Sequence, residues 1–200
     1  MKSQPLVRPT QRGWSRVEED GYILHLDTPG DAVLGFAASV VHGMDSHPRR
    51  LDPRWLYDGP GSEIYENITV QPEYYPTRTE DRLLQAHAED IRDVVGNVAV
   101  VELGSGSSTK TRHILDAWTA RGDTRYVPID ISSSAVGGAC KQLAMSYPDL
   151  HIEGIASTYG RGVELVRDLG PRMLMFLGST IGNLSPDETQ GFLQMISDSL

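Results

Sequence analysis

The sequence predicts the α/β class, a doubly wound parallel sheet, and three observations predict it. From Glu80 onward, apolar runs of strand length alternate with stretches of helical period. The connections between them are short, as in successive βα units. The first of these strands passes through Gly104 and Gly106 straight into a helical pattern, the turn found where such sheets bind ligands beyond the carboxyl ends of their strands.

Taken in order, the pattern reads helix 80–95, strand 98–103, helix 108–121, strand 125–129, helix 133–147, strand 150–155, helix 160–169, strand 172–177 and helix 186–200. Ahead of it come a polar, proline-containing lead, a short strand at "GYILHL", and a helix from Asp31 after Thr28-Pro29-Gly30. Between Pro48 and Thr79 turn formers are mixed with Tyr57, Tyr65, Tyr74 and Tyr75, four of the eight tyrosines. Such a mixture suits a ligand-facing loop region and equally a cap packed on a core. The expected division is an N-terminal extension over 1–30 with little to order it, a helical and aromatic cap segment on the substrate side over 31–79, and an α/β binding domain over 80–200. Four parallel strands ending in the helix at "ISDSL" leave one sheet edge uncovered. The reading preferred is therefore a piece of a longer protein whose C-terminal strands are missing, over a sheet completed by a partner.

Composition narrows the function. No run approaches the ~18 apolar residues of a membrane span; the longest, "AVLGFAASVVHGM", is interrupted by Gly35 and His42. The start carries no apolar stretch of a secretory signal, so the expected location is cytoplasmic. A net charge of −9, with only "HPRR" at His47 to Arg50 as a basic cluster, argues against nucleic acid. The single cysteine, Cys140, lies between apolar neighbours and reads as a core residue. His42 and His47 straddle Gly43, His87 and His113 read as helix-surface residues, and no histidine pair has metal-ligand spacing. A hydrolase elbow is absent as well.

The chemistry concentrates in "VAVVELGSGSSTKTRHILDAW". Its glycines alone would suit a tight βα turn that merely lets a helix pack closely. Two acids add to them: Glu102 on the strand, and Asp130 ending the next strand in "RYVPIDIS", where a carboxylate can accept both ribose hydroxyls of an adenosine. NAD and S-adenosylmethionine both satisfy this. A pyrophosphate asks for a third glycine, and Ser108 or Thr109 stands there instead. A methionine moiety, with its ammonium facing Glu102 and its carboxylate facing Lys110 in the first turn of the helix, fits better. Asn183 follows the fourth strand at the same edge, able to offer an amide to a bound carboxylate or amine. As the alternative, Asn-Leu-Ser-Pro merely caps the next helix.

"VELGSGSSTKTRHILDA", "PEYYPTRTE" and "LGSTIGNLSP", in this order, resemble the bacterial histidine Nα-methyltransferases of ergothioneine synthesis. The resemblance runs from about Asp52 to Leu200. It implies a Rossmann-like class I methyltransferase sheet, S-adenosyl-L-methionine as methyl donor, no metal, and histidine as the amino-acid substrate, trimethylated to hercynine. Carried across by position, it places Tyr57, Gly104, Lys110 and Asp130 at the cofactor, with Gly106 in the same turn. Tyr74 and Asn183 fall at the substrate, as the groups that orient amine and carboxylate for catalysis. Where the family has an acidic-aromatic pair gripping the adenine, this chain has Thr158-Tyr159, which can still hydrogen-bond and stack. That pair is similar to fungal relatives whose substrates include a prenylated tryptophan. Tryptophan or another small amine is therefore the second enzymatic reading, and a catalytically inactive cofactor-binding or interaction module the reading of another class.

Overall fold

The computed structural model describes residues 13–27 and 32–200. In chain order the elements are β1 (Trp14–Glu19), β2 (Tyr22–Asp27), α1 (Ala32–Asp45), a 3-10 turn at Pro53–Leu56, α2 (Gly59–Thr69), α3 (Tyr75–Val95), β3 (Ala99–Leu103), α4 (Arg112–Thr119), β4 (Arg125–Asp130), α5 (Ser133–Ser146), β5 (His151–Ala156), α6 (Tyr159–Leu165), β6 (Arg172–Phe176), a 3-10 turn at Thr180–Asn183, and α7 (Pro186–Ser199). The sheet order is β1-β2-β5-β4-β3-β6. All neighbours are parallel except the β1–β2 hairpin. From β3 the chain winds out through β4 to β5, then crosses back to β6 on the other side of β3. The loops after β3 and β6 therefore diverge at the sheet's carboxyl edge, which opens a crevice there.

Alternation along the strands supplies two cores, as a sheet covered on both faces requires. Val100 and Tyr126 face the layer of α3, α4 and α5, against Leu84, Ile114, Trp118, Cys140 and Leu143. Ala99, Val101, Leu103, Val127 and Ile129 face α6 and α7, against Val163, Val166, Phe192 and Met195. Trp118 has no exposed surface, bonds its indole nitrogen to Val98 O at 3.0 Å, and stacks under the Arg92 guanidinium. Cys140 is buried, as its apolar neighbours predict, and burial pushes its thiol up to about 12.

Two helix boundaries differ from the sequence pattern for local reasons. α3 begins at Tyr75 instead of near Glu80, because Pro76, lacking an N–H, fits a first helical turn and stabilises it. α4 begins only at Arg112: Ser108 holds a left-handed backbone at φ 52°, which no helix continues through. Lys110 consequently stands in the loop before the helix, not in its first turn.

The N-terminal region departs furthest from expectation. Residues 1–12 and the expected helix start at Thr28–Asp31 lie outside the described residues. The short strand expected at "GYILHL" is present as β2, but Trp14–Asp27, placed in an extension, forms a hairpin whose second strand pairs with β5, so the sheet has six strands and the four parallel strands read from the pattern are its centre and one edge. Its anchor is polar. His25 Nε2 lies 3.0 Å from Glu153 Oε2, both side chains fully buried, while Arg161 pairs with Asp27 at 2.6 Å and lies over the Trp14 ring. A six-residue strand reading "WSRVEE" carries no apolar alternation, which is why sequence pattern alone does not show it.

Candidate active site

A cleft of about 1190 Å³ opens at the carboxyl edge of the sheet. It is lined by the loops after β3, β4, β5 and β6 on one side and by the 52–81 segment on the other. Tyr57, Tyr74, Glu102, Gly104, Gly106, Lys110, Asp130, Thr158, Tyr159 and Asn183 all border it. The sequence-derived set is thus brought together in one place.

The turn after β3 is built around its glycines. Gly104 has φ 70°, and a Cβ there would stand 2.9 Å from the Tyr159 hydroxyl, so both the backbone and the neighbouring side chain favour glycine. Asp130 ties this turn to the next helix: its Oδ2 accepts the Gly106 N–H at 2.8 Å and its Oδ1 the Ser132 N–H at 2.9 Å. Burial raises the Asp130 carboxyl against the opposing pull of these amide donors. Tyr159 is packed edge-on against Phe176 and Phe192, with ring centroids 5.4 and 6.0 Å away, and Thr158 makes no cap bond to its own helix.

Glu102 is 4% exposed, and both its oxygens are engaged. Thr111 Oγ1 lies 2.8 and 2.7 Å from them, and the Tyr126 hydroxyl donates to Oε2. Burial pushes the carboxyl up to about 7, against the lowering effect of Tyr126 and Thr111. It therefore stands at the foot of the turn instead of free in the cleft. Lys110 is likewise committed, to Glu80 in the second turn of α3, whose other oxygen accepts the Gly178 N–H at 2.8 Å. One carboxylate thereby joins the loops after β3 and β6.

Across the cleft, Tyr57, Tyr65 and Tyr74 stand edge to face, with centroids 6.1 and 6.4 Å apart. Asn183 Nδ2 donates to the Tyr57 hydroxyl at 3.3 Å. The Asn-Leu-Ser-Pro stretch does cap α7, with Ser185 as the N-cap in a capping box with Glu188, while Asn183 itself ends the 3-10 turn and is not the cap. Ser108 and Ser179 are the non-glycine residues at positive φ among the described residues, and both lie in these ligand-edge loops. Left-handed backbone costs such residues about 1–2 kcal/mol, a strain that persists only where surrounding bonds enforce it.

Sequence reasoning missed Glu80, Tyr65, Ser108, Thr111 and Tyr126. Glu80 ends the quoted "PEYYPTRTE", and Tyr65 stands in the tyrosine-rich stretch, where only the density of tyrosines was a signal. Tyr126 is invisible in the pattern, since a tyrosine on a buried strand reads as core.

The cradle suits an adenosyl donor: a turn in which a side chain at Gly104 would crowd Tyr159, an acid ending the neighbouring strand, and a lysine beside them. The architecture is that of the methyltransferase α/β class. The crystal structure of a methyltransferase candidate from Thermobifida fusca matches it with a TM-score of 0.50 at 18% identity, over 70% of this chain and 55% of that one. More narrowly, the chain belongs to the S-adenosylmethionine-dependent, histidine-specific methyltransferase family, whose sequence model matches residues 36–200. The histidine N-alpha-methyltransferase of Mycolicibacterium smegmatis is 38% identical over 80% of this chain and 50% of its own length. The 4-dimethylallyltryptophan N-methyltransferase of Claviceps purpurea is 30% identical over 80% of this chain and 48% of its own. Ergothioneine biosynthesis protein 1 of Neurospora crassa is 30% identical over 76% of this chain and 18% of its own length. The chain spans about half the length of the first two relatives. Among the described residues no helix is long and apolar enough to cross a membrane.

Proposed function

We propose that the cleft is the donor and acceptor site of an S-adenosyl-L-methionine-dependent N-methyltransferase acting on the α-amino group of L-histidine. Its product is trimethylhistidine (hercynine), the first step toward ergothioneine. The observation that carries this is the convergence of Asp130, the Gly104–Gly106 turn and Lys110 with Tyr57, Tyr74 and Asn183 in one cleft. Family membership and the mycobacterial and Neurospora relatives support it.

S-adenosylmethionine, when bound, would supply an electrophilic methyl on a sulfonium: the neutral acceptor amine would bond to that carbon in line as the carbon–sulfur bond breaks, S-adenosylhomocysteine would leave, and each transfer would release one proton to solvent. In this reading Asp130 accepts the ribose hydroxyls, Lys110 borders the donor's carboxylate while keeping its ion pair with Glu80, Glu102 acts from beneath the turn through Thr111 and Tyr126 and not by direct contact with the ammonium, Thr158 and Tyr159 border the base, and Tyr57 lies along the donor. Asn183 and Tyr74 orient the acceptor's amine and carboxylate. Holding the lone pair about 3 Å from the methyl supplies most of the rate advantage, through effective molarity. The sulfonium charge also favours the neutral acceptor amine, so no strong base is needed. In this reading the segment from Asp52 to Thr79 is the acceptor-side cap and 80–200 the donor-binding unit. The location is cytoplasmic, and the partner is a small amino acid with no nucleic acid involved.

Mass spectrometry of histidine incubated with the protein and donor tests the reading, the expected products carrying one, two and three added methyls. A parallel incubation with tryptophan and dimethylallyltryptophan tests the acceptor. Methylation of those and not of histidine would overturn the histidine assignment, while donor binding without any methylated product would favour a binding module.

A further inference from the structure

Tyr126 is the second residue of β4, has no exposed surface, and its ring is packed among the apolar residues under α4 and α5. Phenylalanine would serve that packing as well. A buried phenolic hydroxyl, however, needs partners, and both partners of this one belong to the ligand turn. Its proton goes to Glu102, and its oxygen lies 2.8 Å from Ser108 Oγ, so that Ser108 is the donor. Ser108 is 2% exposed, holds the left-handed backbone at φ 52°, and closes the turn by donating its N–H to Ser105 O at 2.8 Å. The turn is thus held from two directions, by Asp130 on Gly106 and by Tyr126 on Ser108. Ser108, Glu102 and Thr111 line the cleft, whereas Tyr126 does not.

We propose that Tyr126 is a positioning residue for the methyl donor: its hydroxyl, anchored on Glu102, holds Ser108 in the left-handed conformation and so sets the Ser105–Ser108 turn against which the donor lies. The inference rests on the reading of the cleft as a donor site. Without the hydroxyl, Ser108 keeps only its N–H bond to Ser105 O against its strain and relaxes toward the backbone that serine prefers. The turn then moves against Gly106 and Asp130, and the donor site moves with it.

The test uses calorimetric titration with S-adenosylhomocysteine, the demethylated donor, together with amide hydrogen exchange of residues 105–111 without ligand. Tyr126→Phe and Ser108→Ala are each expected to weaken binding by about tenfold, the worth of one buried hydrogen bond, and to speed exchange in the turn. The double variant Tyr126→Phe/Ser108→Gly is expected to recover to within about threefold of wild type, because glycine adopts the required backbone unaided. Unchanged affinity in both single variants overturns the proposal. So does failure of glycine to restore binding in a variant whose near-ultraviolet dichroism is native, since Tyr126 would then act through core packing alone. Should Tyr126→Phe not fold, Ser108→Ala carries the same test from the loop without touching the core. A wild-type protein that binds no S-adenosylhomocysteine defeats the donor reading itself, and the positioning role with it; unchanged turn exchange in Ser108→Ala defeats the positioning role alone.

Discussion

Glu102 combines complete burial with two hydroxyl donors, and burial wins: its carboxyl stands near pH 7 in the folded protein against 4.5 in the unfolded chain. Between these values the folded state binds more protons than the unfolded one, so this group's contribution is fully present below about pH 4.5 and is lost as pH rises through about 7. Roughly 3 kcal/mol is at stake across the window, at 1.36 kcal/mol per pH unit. Glu102→Gln keeps the hydrogen-bonding shape without the titration. The stability difference between wild type and variant, from urea unfolding at a series of pH values, should therefore favour wild type increasingly from pH 7 down to 4.5. A flat difference would contradict the burial argument. Asn183 carries the opposite kind of prediction. It is exposed, is bonded only at 3.3 Å to Tyr57, and has no capping duty. Asn183→Ala should depress methyl transfer strongly while leaving S-adenosylhomocysteine affinity within a few-fold; a large loss of affinity would move Asn183 to the donor side.

At the scale of elements, the β1–β2 hairpin is the piece whose attachment is least ordinary. A parallel strand joins β5 through a fully buried His25–Glu153 pair, and Asp27–Arg161 closes over it onto α6. Removing one member of such a pair takes away a buried hydrogen bond, which costs about 1–3 kcal/mol, whereas replacing both by apolar residues is far milder. His25→Leu and Glu153→Leu should each lower stability by that order in denaturant titration, and the double variant should lose clearly less than their sum. Additive losses would mean the two side chains do not act as a pair. α3 and α4 are joined differently, along an exposed seam: Glu80 to Lys110, Asp81 to His113, and Glu89 and Asp93 to Arg121. The exposed members of that ladder contribute little singly. Glu80 stands apart because it also reaches Gly178 and so belongs to both the helix seam and the cleft.

For the whole molecule, the four loops after β3 to β6 share one edge, so a ligand there should stabilise the fold as a unit. S-adenosylhomocysteine at 100 times its dissociation constant is expected to add about 2.7 kcal/mol to the unfolding free energy. Amide protection should concentrate at 104–111, 130–132, 157–159 and 177–184, the lining segments. Protection confined to the opposite edge would place the site elsewhere. The sequence by itself determined the βα alternation of the central strands, the glycine turn, and the acid ending β4, because these depend on periodicity and on backbone positions that only particular residues tolerate. Its motifs also named Tyr57, Tyr74 and Asn183, residues nearly 130 positions apart at the extremes. What only the tertiary structure decided is how charges and hydroxyls are paired: Glu102 with Tyr126 and Thr111, Lys110 with Glu80, His25 with Glu153. Such pairings join residues 9 to 128 positions apart. No local pattern encodes them, since a buried carboxylate finds its donors only when the strands and helices that carry them have packed together.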